Sequence, residues 1–183
     1  MDKQLLRKEH KNLRCAQRET EAKSKSHKIC EKLFLLPQYK NAQNIMVYLS
    51  AKGEVMTNEI ILRALDDGKK LSAPVCRENS LMDAVHFSSF SDLKEGAFHI
   101  LAPAGSEIFS PNELDLIITP GVVFGKNMHR IGYGKGYYDR FFCLAENAYK
   151  VGLCYGFNLI KHVPEGKYDM PLDIIITENE VIL

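Results

Sequence analysis

The sequence predicts a single α/β domain of the three-layer, doubly wound type, in which helices cover both faces of a mostly parallel central sheet. Short apolar runs bounded by polar residues, typical of buried strands, alternate along the chain with amphipathic helical segments. A strand, a helix and a second strand of these lengths form a βαβ unit with parallel strands. Because 183 residues is an ordinary size for one domain, we expect residues 1–183 to form a single domain.

The chain begins with a basic segment, and residues 3–20 are predicted to form a helix. We expect this N-terminal basic helix, within residues 1–20, to pack on the rest of the domain. Its cationic side chains recur every three or four positions and so share one stripe, which comprises Lys3, Arg7, Lys11, Arg14 and Arg18. Spacing alone favours a solvated face for this stripe, and the sharper alternative is that Lys3 and Arg7 reach the phosphates of an anionic ligand.

The first βαβ unit follows a second helix. Apolar residues at helical spacing predict that helix over 24–36, and Pro37 ends it because proline cannot continue a helix. The unit comprises a strand at 45–49, a helix at 57–67 and a strand at 71–75.

The second βαβ unit comes after a less regular stretch, with a strand predicted at 84–87 and loops over 88–111. Its predicted elements are a strand at 114–119, a helix at 137–147 and a strand at 149–154, with a last strand at 173–177. Ligands of such sheets bind beyond the carboxyl ends of the strands. We therefore expect the segments after Leu49 and after Thr119 to lie together at a binding site.

The most informative segment is Arg130-Ile-Gly-Tyr-Gly-Lys-Gly-Tyr-Tyr-Asp-Arg140, whose residues 130–136 we call the glycine loop. Alternating glycines permit positive φ angles, so that successive N–H groups can converge on an anion at the start of a helix. Lys135 and Arg130 add positive charge, and Asp139 is placed to hold a divalent metal. Together these features describe a cradle for a metal–triphosphate. The plain alternative is a tight connection, since the segment is neither a Walker loop nor a good Rossmann fingerprint.

This eleven-residue string resembles the signature of the 5-formyltetrahydrofolate cyclo-ligase (methenyltetrahydrofolate synthetase) family. The resemblance implies an enzyme that uses ATP to convert 5-formyltetrahydrofolate to 5,10-methenyltetrahydrofolate, releasing ADP and phosphate, with Mg²⁺ as cofactor. It implies catalytic roles for Lys135 and Arg130. The ATP contacts that it implies are Lys3, Arg7, Arg130, Ile131, Gly132, Tyr133, Gly134, Lys135, Gly136, Tyr137 and Tyr138.

The family resemblance also implies a folate site and metal ligands. Leu49 and Glu54, in the loop after a strand, match positions that contact the folate, and Tyr138 and Phe124 are further candidates. The plain alternative for Glu54 is that it is a solvated loop glutamate. The alternative for Phe124 is that its segment forms a turn and a wall of the site without contacting the ligand. Asp139 and Asp173 are the candidate metal ligands, with strand capping as the alternative for Asp173.

The composition excludes several other classes of protein. A net charge of +1 provides no overall field that would attract nucleic acid, and no apolar run approaches the ~20 residues of a membrane span. The five cysteines are scattered and odd in number, as in a reduced, cytoplasmic protein. We expect a monomer whose partners are ATP and the folate. A non-catalytic module that binds nucleotides or sugar phosphates and a small-metabolite kinase are the competing functions.

Overall fold

An eight-stranded sheet organises residues 2–51, 53–96 and 101–183, which are the residues described by this computed structural model. The helices in that part of the chain are α1 (Lys3–Ala16), α2 (Glu19–Leu35), α3 (Pro37–Asn41), α4 (Asn58–Asp66) and α5 (Tyr137–Phe142). The strands there are β1 (Asn44–Val47), β2 (Lys70–Cys76), β3 (Met82–Phe87), β4 (Leu93–Glu95), β5 (Leu101–Pro103), β6 (Ile108–Phe109), β7 (Leu116–Thr119), β8 (Val123–Gly125), β9 (Arg130–Ile131), β10 (Tyr149–Leu153), β11 (Leu159–Ile160), β12 (Ile174–Ile176) and β13 (Val181–Ile182).

The main sheet has the strand order β13-β12-β10-β7-β1-β2-β3-β6, and the pairs from β12 through β2 are parallel. Ile45 of β1 pairs with Leu71 of β2 on one side and with Leu116 of β7 on the other. From β1 the chain moves to β2 in one direction, whereas from β7 it moves to β10 and β12 in the other. The order therefore reverses between β1 and β7, which is the point where ligands bind in doubly wound sheets.

Both faces of the main sheet are covered, as the sequence predicts. Successive residues of a strand face opposite sides, so Ile45 and Val47 contribute to one core and Met46 to the other. The first core is closed by α2, α3 and α4. The second is closed by Phe141 and Phe142 of α5 together with Phe124 of β8. Burial of apolar side chains on both faces of the sheet stabilises the fold by about 25 cal/mol for each Å² of apolar surface removed from water.

A second, three-stranded sheet with the order β11-β8-β9 lies beside α1. The sequence predicted only a long connection over 122–131, but Val123 pairs with Ile131 and so forms an antiparallel hairpin of β8 and β9. Leu6 of α1 packs on this hairpin in a small core with Val122, Val123, Ile131 and Val163. The glycine loop thus begins in a paired strand, and the N-terminal helix packs on that strand's sheet.

Three predicted helix boundaries are wrong. The helix predicted over 3–20 ends at Ala16, and the next begins at Glu19 rather than 24, because Gln17 and Arg18 are extended. This break lets α1 pack on the small sheet while α2 packs on the main one. The helix predicted over 137–147 ends at Phe142, where the amides of Leu144 and Ala145 both donate to the Phe141 carbonyl at 3.0 Å. No glycine or proline marks that end, so tertiary packing decides it.

The stretch predicted as loops over 88–111 contains short strands as well. β4 and β5 form a hairpin there, and β6 extends the main sheet by pairing antiparallel with β3. Residues 97–100 of this stretch lie outside the described residues. Among the described helices, none combines the length and apolar character that crossing a membrane requires.

Substitution of Gly125 by alanine is expected to destabilise the fold by about 1–3 kcal/mol, the usual cost of overpacking. A Cβ atom at this position would lie 2.7 Å from the backbone nitrogen of Val163 and 2.1 Å from the Asn127 side-chain oxygen. The backbone contact cannot relax through a rotamer change. Urea unfolding measures the loss, and Gly105→Ala is the control, because its Cβ would meet the His86 carbonyl at an ordinary 3.6 Å. Equal stabilities of the two variants would contradict this packing argument.

Candidate active site

The candidate site lies where β1 and β7 end, at the reversal of strand order. The loop after β1 brings Gly53 and Glu54 to this point, and the turn after β7 brings Gly121. A cleft opens between them, and its lining also includes Arg14, Tyr48, Tyr155 and Asn158. The expectation that the segments after Leu49 and Thr119 lie together is confirmed.

Arg14 of α1 joins the two loops of this cleft, although only 5% of its surface is exposed. Its Nε donates to the Gly53 carbonyl at 2.7 Å, and one terminal nitrogen donates to the Gly121 carbonyl at 3.0 Å. The other terminal nitrogen lies 3.3 Å from Oε1 of Glu54. Burial opposes the charge of Arg14, but Tyr133 and Glu54 outweigh that effect and raise its pKa. The solvated face favoured for the basic stripe is therefore wrong at Arg14.

Glu54 is also buried, with 8% of its surface exposed, so the plain alternative of a solvated loop residue is wrong. Its Oε1 accepts a hydrogen bond from the Tyr133 hydroxyl at 2.6 Å, and its Oε2 accepts one from the Ala51 amide at 2.9 Å. Its carbonyl accepts from the Tyr155 hydroxyl at 2.9 Å. Both the backbone and the carboxylate of Glu54 are thus held in a fixed orientation.

Tyr133 connects the glycine loop to the cleft. Burial of its hydroxyl, followed by the charge of Glu54, raises the pKa of Tyr133 to about 12. The phenol consequently stays protonated at neutral pH and acts as a donor to Glu54. Lys11 lies over the same ring, with its ammonium 4.9 Å from the ring centroid. Residues predicted to contact ATP and folate therefore meet in one cluster.

Two of the three glycines in the glycine loop have the positive φ angles that the sequence predicts. The φ angle is +101° at Gly134 and +64° at Gly136, values that residues with a Cβ atom rarely adopt. Arg7 of α1 donates from Nε to the Gly132 carbonyl at 2.7 Å, so the loop and the N-terminal helix are in contact. Lys135 is exposed and forms no ion pair within the described part of the chain. Its ammonium is available to an incoming anion.

Arg130, the first residue of the glycine loop, is buried and pairs with Asp139, which is partly buried. A terminal nitrogen of Arg130 donates to Oδ1 of Asp139 at 2.9 Å, and the Arg130 side chain is 4% exposed. The guanidinium also lies over the rings of Tyr138 and Phe142, at 5.6 and 4.9 Å from their centroids. Burial raises the pKa of Tyr138. The buried Tyr138 hydroxyl has no hydrogen-bond partner in the described residues.

Lys3 and a carboxylate not singled out by the sequence complete this side of the site. The ammonium of Lys3 is bonded to Asp169, and the next residue, Met170, donates its amide to Oδ1 of Asp139 at 3.2 Å. Burial opposes ionisation of Asp169, but the hydrogen bonds from Lys3 and from the Gly166 amide outweigh it and lower the Asp169 pKa. Asp169 and Asp139 are thus neighbours, near the first basic residue of α1.

Three predicted substrate or metal residues are placed differently. Asp173 precedes β12 and accepts the Lys150 amide at 2.7 Å, at the amino ends of the strands and so opposite to the cleft. Phe124 is fully buried behind the cleft, where its ring lies close to Gly121. Leu49 is partly buried against the first core. Asp173 therefore lies away from the cleft, whereas the folate-binding roles of Phe124 and Leu49 stay predictions.

Comparison with known proteins assigns the chain to a family. The model of the 5-formyltetrahydrofolate cyclo-ligase family matches residues 1–178. The chain belongs to the 5-formyltetrahydrofolate cyclo-ligase family. A probable 5-formyltetrahydrofolate cyclo-ligase of Caenorhabditis elegans is 33% identical over 181 residues, covering 91% of this chain and 85% of the relative.

Solved structures of the cyclo-ligase family have the same fold. The structure of 5,10-methenyltetrahydrofolate synthetase from Aquifex aeolicus matches with a TM-score of 0.89 and 33% identity, covering 100% of this chain and 92% of the other. The enzyme from Mycoplasma pneumoniae matches with a TM-score of 0.80 and 25% identity, covering 97% and 99%. The predicted fold class and the predicted family are therefore confirmed.

Two residues of the site were not predicted to be there: Arg14 was named only as part of the basic stripe, and Asp169 was not singled out at all. Arg14 follows Arg7 by seven residues, or two helical turns, so the two share a face of α1. That spacing could have singled it out, but nothing local predicts that a basic side chain is buried. Asp169 lies four residues before the candidate Asp173, and no pattern in the sequence distinguishes these two carboxylates.

Proposed function

We propose that this chain uses ATP to convert 5-formyltetrahydrofolate to 5,10-methenyltetrahydrofolate, with release of ADP and phosphate. The observation that carries the proposal is the hydrogen bond between Tyr133 of the glycine loop and Glu54 of the cleft. This bond joins the glycine loop, which we propose binds phosphate, to a buried carboxylate. The carboxylate lies where the strand order of the main sheet reverses, between β1 and β7. A flat, nitrogen-rich substrate and a nucleotide would meet at this junction.

The reaction needs activation of a formamide, whose carbonyl oxygen is a poor leaving group. Transfer of the γ-phosphoryl group to this oxygen breaks the bond to ADP and makes the carbon electrophilic. N10 of the folate then attacks that carbon and releases its proton to solvent, and the C–O bond breaks as phosphate leaves. Because the substrate supplies the nucleophile, the protein needs no Ser, Cys or His triad. Its task is to align the two substrates and to neutralise charge.

Each part of the site has a role in this scheme. Lys135 is exposed and has no ion-pair partner among the residues that the structure describes, so it neutralises the phosphoryl group during transfer. Arg7 and Lys3 lie beside the loop and bind the remaining phosphates. Glu54 accepts hydrogen bonds from N–H groups of the folate ring. Arg130 is buried against Asp139, and we infer that it orients this carboxylate rather than touching the phosphoryl group.

Mg²⁺ suits this arrangement through Asp139 and Asp169. No group of three or more His, Cys, Asp or Glu side chains that could hold a metal occurs among the described residues. Mg²⁺ is usually bound by one or two carboxylates together with phosphate oxygens and waters, so a fully formed protein cage is not needed. When bound with ATP, the ion neutralises charge on the phosphates. Asp173, at the other end of the strands, has no part in this proposal.

We further propose a monomer that acts in the cytoplasm. The free thiols of Cys15, Cys30, Cys76, Cys143 and Cys154 suit a reducing compartment. The binding module and the small-metabolite kinase considered from the sequence have no observation in their favour.

Replacement of Glu54 by glutamine tests the folate site. The variant is expected to raise the KM for 5-formyltetrahydrofolate at least tenfold, about the effect of losing a charged hydrogen bond, and to leave the KM for ATP within about twofold. The measurement is the absorbance of methenyltetrahydrofolate formed in the presence of Mg-ATP. Glu146→Gln, at an exposed carboxylate, is the matched control. Equal changes in both KM values would refute the assignment of Glu54 to the folate.

A further inference from the structure

The carboxylate of Glu54 is already engaged on both oxygens. Oε1 accepts from the Tyr133 hydroxyl at 2.6 Å and faces Arg14 at 3.3 Å, and Oε2 accepts from the Ala51 amide at 2.9 Å. Oε1 already has two partners, so a folate N–H group that approaches this oxygen takes the place of one of them. This consequence rests on the proposed folate-binding role of Glu54.

The three partners of Glu54 differ in how readily they can leave. Arg14 is 5% exposed and is fixed by bonds to the Gly53 and Gly121 carbonyls. Ala51 contributes a backbone amide from the same loop as Glu54. Tyr133, in contrast, is 54% exposed, carries no charge and belongs to the glycine loop. Of these contacts, the one from Tyr133 breaks at the least cost.

We propose that Tyr133 is a displaceable latch. In the ligand-free protein its hydroxyl occupies the place on Glu54 that an N–H group of the folate takes, and binding of the folate releases it. Arg14 acts as the positioning residue, because it holds the Glu54 oxygens in place while the donor is exchanged. The latch thereby couples the folate site to the glycine loop.

The coupling follows from where Tyr133 lies in the chain. It stands between Gly132, whose carbonyl accepts from Arg7 at 2.7 Å, and Gly134, which has a positive φ angle. Because Tyr133 lies between these two constrained residues, we expect its release from Glu54 to shift the neighbouring amides of the glycine loop. A nucleotide that reorganises the loop withdraws Tyr133 from Glu54 and so favours the folate. Linkage requires that the folate favours the nucleotide by the same factor.

Tyr133→Phe tests the latch, because it removes the hydroxyl and keeps the ring that Lys11 covers. Calorimetric titration of 5-formyltetrahydrofolate is performed with and without a non-hydrolysable ATP analogue and Mg²⁺. In the wild-type protein the analogue is expected to lower the Kd for the folate roughly fivefold or more, at the lower end of the usual range of allosteric coupling between two sites. In Tyr133→Phe the folate is expected to bind about fivefold more tightly without the analogue, with a coupling factor near one.

Tyr168→Phe is the matched control, since Tyr168 is 79% exposed and lies outside the site. Unchanged or weaker folate binding by Tyr133→Phe would overturn the latch, because it would make Tyr133 a bystander or a direct folate contact. The double variant Tyr133→Phe with Glu54→Gln provides a second measurement. The latch requires that the gain from Tyr133→Phe is lost when Glu54 is neutral.

The same titrations separate failure of the latch from failure of the proposed function. If Glu54→Gln weakens folate binding but Tyr133→Phe does not strengthen it, Glu54 binds the folate and the latch is wrong. If Glu54→Gln leaves folate binding unchanged, the assignment of Glu54 to the folate is wrong, and the latch is overturned together with it.

Discussion

Replacement of Lys135 by alanine is expected to lower turnover about 10²- to 10³-fold, the usual cost of losing a donor that stabilises transition-state charge. Lys135 lies between Gly134 and Gly136, two glycines of the loop that have positive φ angles, just before α5. It is exposed and has no ion-pair partner within the described ranges, so its full charge is available to the phosphoryl group. No other cation of the glycine loop can substitute, because Arg130 is buried against Asp139.

The measurement for Lys135→Ala is kcat from the absorbance of methenyltetrahydrofolate at saturating Mg-ATP and folate. Lys23→Ala, at an exposed lysine of α2, is the matched control and should retain its turnover. We expect the loss to fall mainly on kcat, because the charge matters most while the phosphoryl group is in transfer. Turnover close to that of the control would remove Lys135 from the chemical step.

Replacement of Arg14 by methionine is expected to destabilise the ligand-free protein by about 3–5 kcal/mol, the usual cost of breaking a buried ion pair. Arg14 and Glu54 are 5% and 8% exposed, so the loss of one partner leaves a charge without compensation in a medium that solvates it poorly. The change also removes the donors to the carbonyls of Gly53 and Gly121. Urea unfolding of the ligand-free protein measures the free energy.

A double-mutant cycle with Glu54→Gln isolates the charge pair from the other bonds of Arg14. The variant that lacks both charges should be more stable than the sum of the two single losses implies, with a coupling of about 1–3 kcal/mol. Lys8→Met, at an exposed lysine of α1, is the control for removal of charge from this helix. Additive losses in the cycle would show that Arg14 stabilises the site through the carbonyls alone.

The backbone of the glycine loop was predictable because the residues that shape it are contiguous in the chain. Alternating glycines, Lys135 and Asp139 lie within eight positions, and the positive φ angles of Gly134 and Gly136 follow from the absence of a Cβ atom. The folate side was harder to predict. Glu54 was singled out only by the loop position after β1 and the family resemblance, while its burial depends on Tyr133, 79 positions further along the chain.

The sequence by itself determined the two parallel βαβ units and the positive φ angles of Gly134 and Gly136 in the glycine loop. These properties depend on local periodicity and on residue type. Only the tertiary structure decided that Arg14 is buried rather than solvated, that Asp169 rather than Asp173 accompanies Asp139, and that Tyr133 closes on Glu54. The physical reason is that burial and pairing depend on atoms far apart in the chain. Arg14 and Gly121, for example, are separated by 107 positions and meet only because the sheet reverses its strand order between β1 and β7.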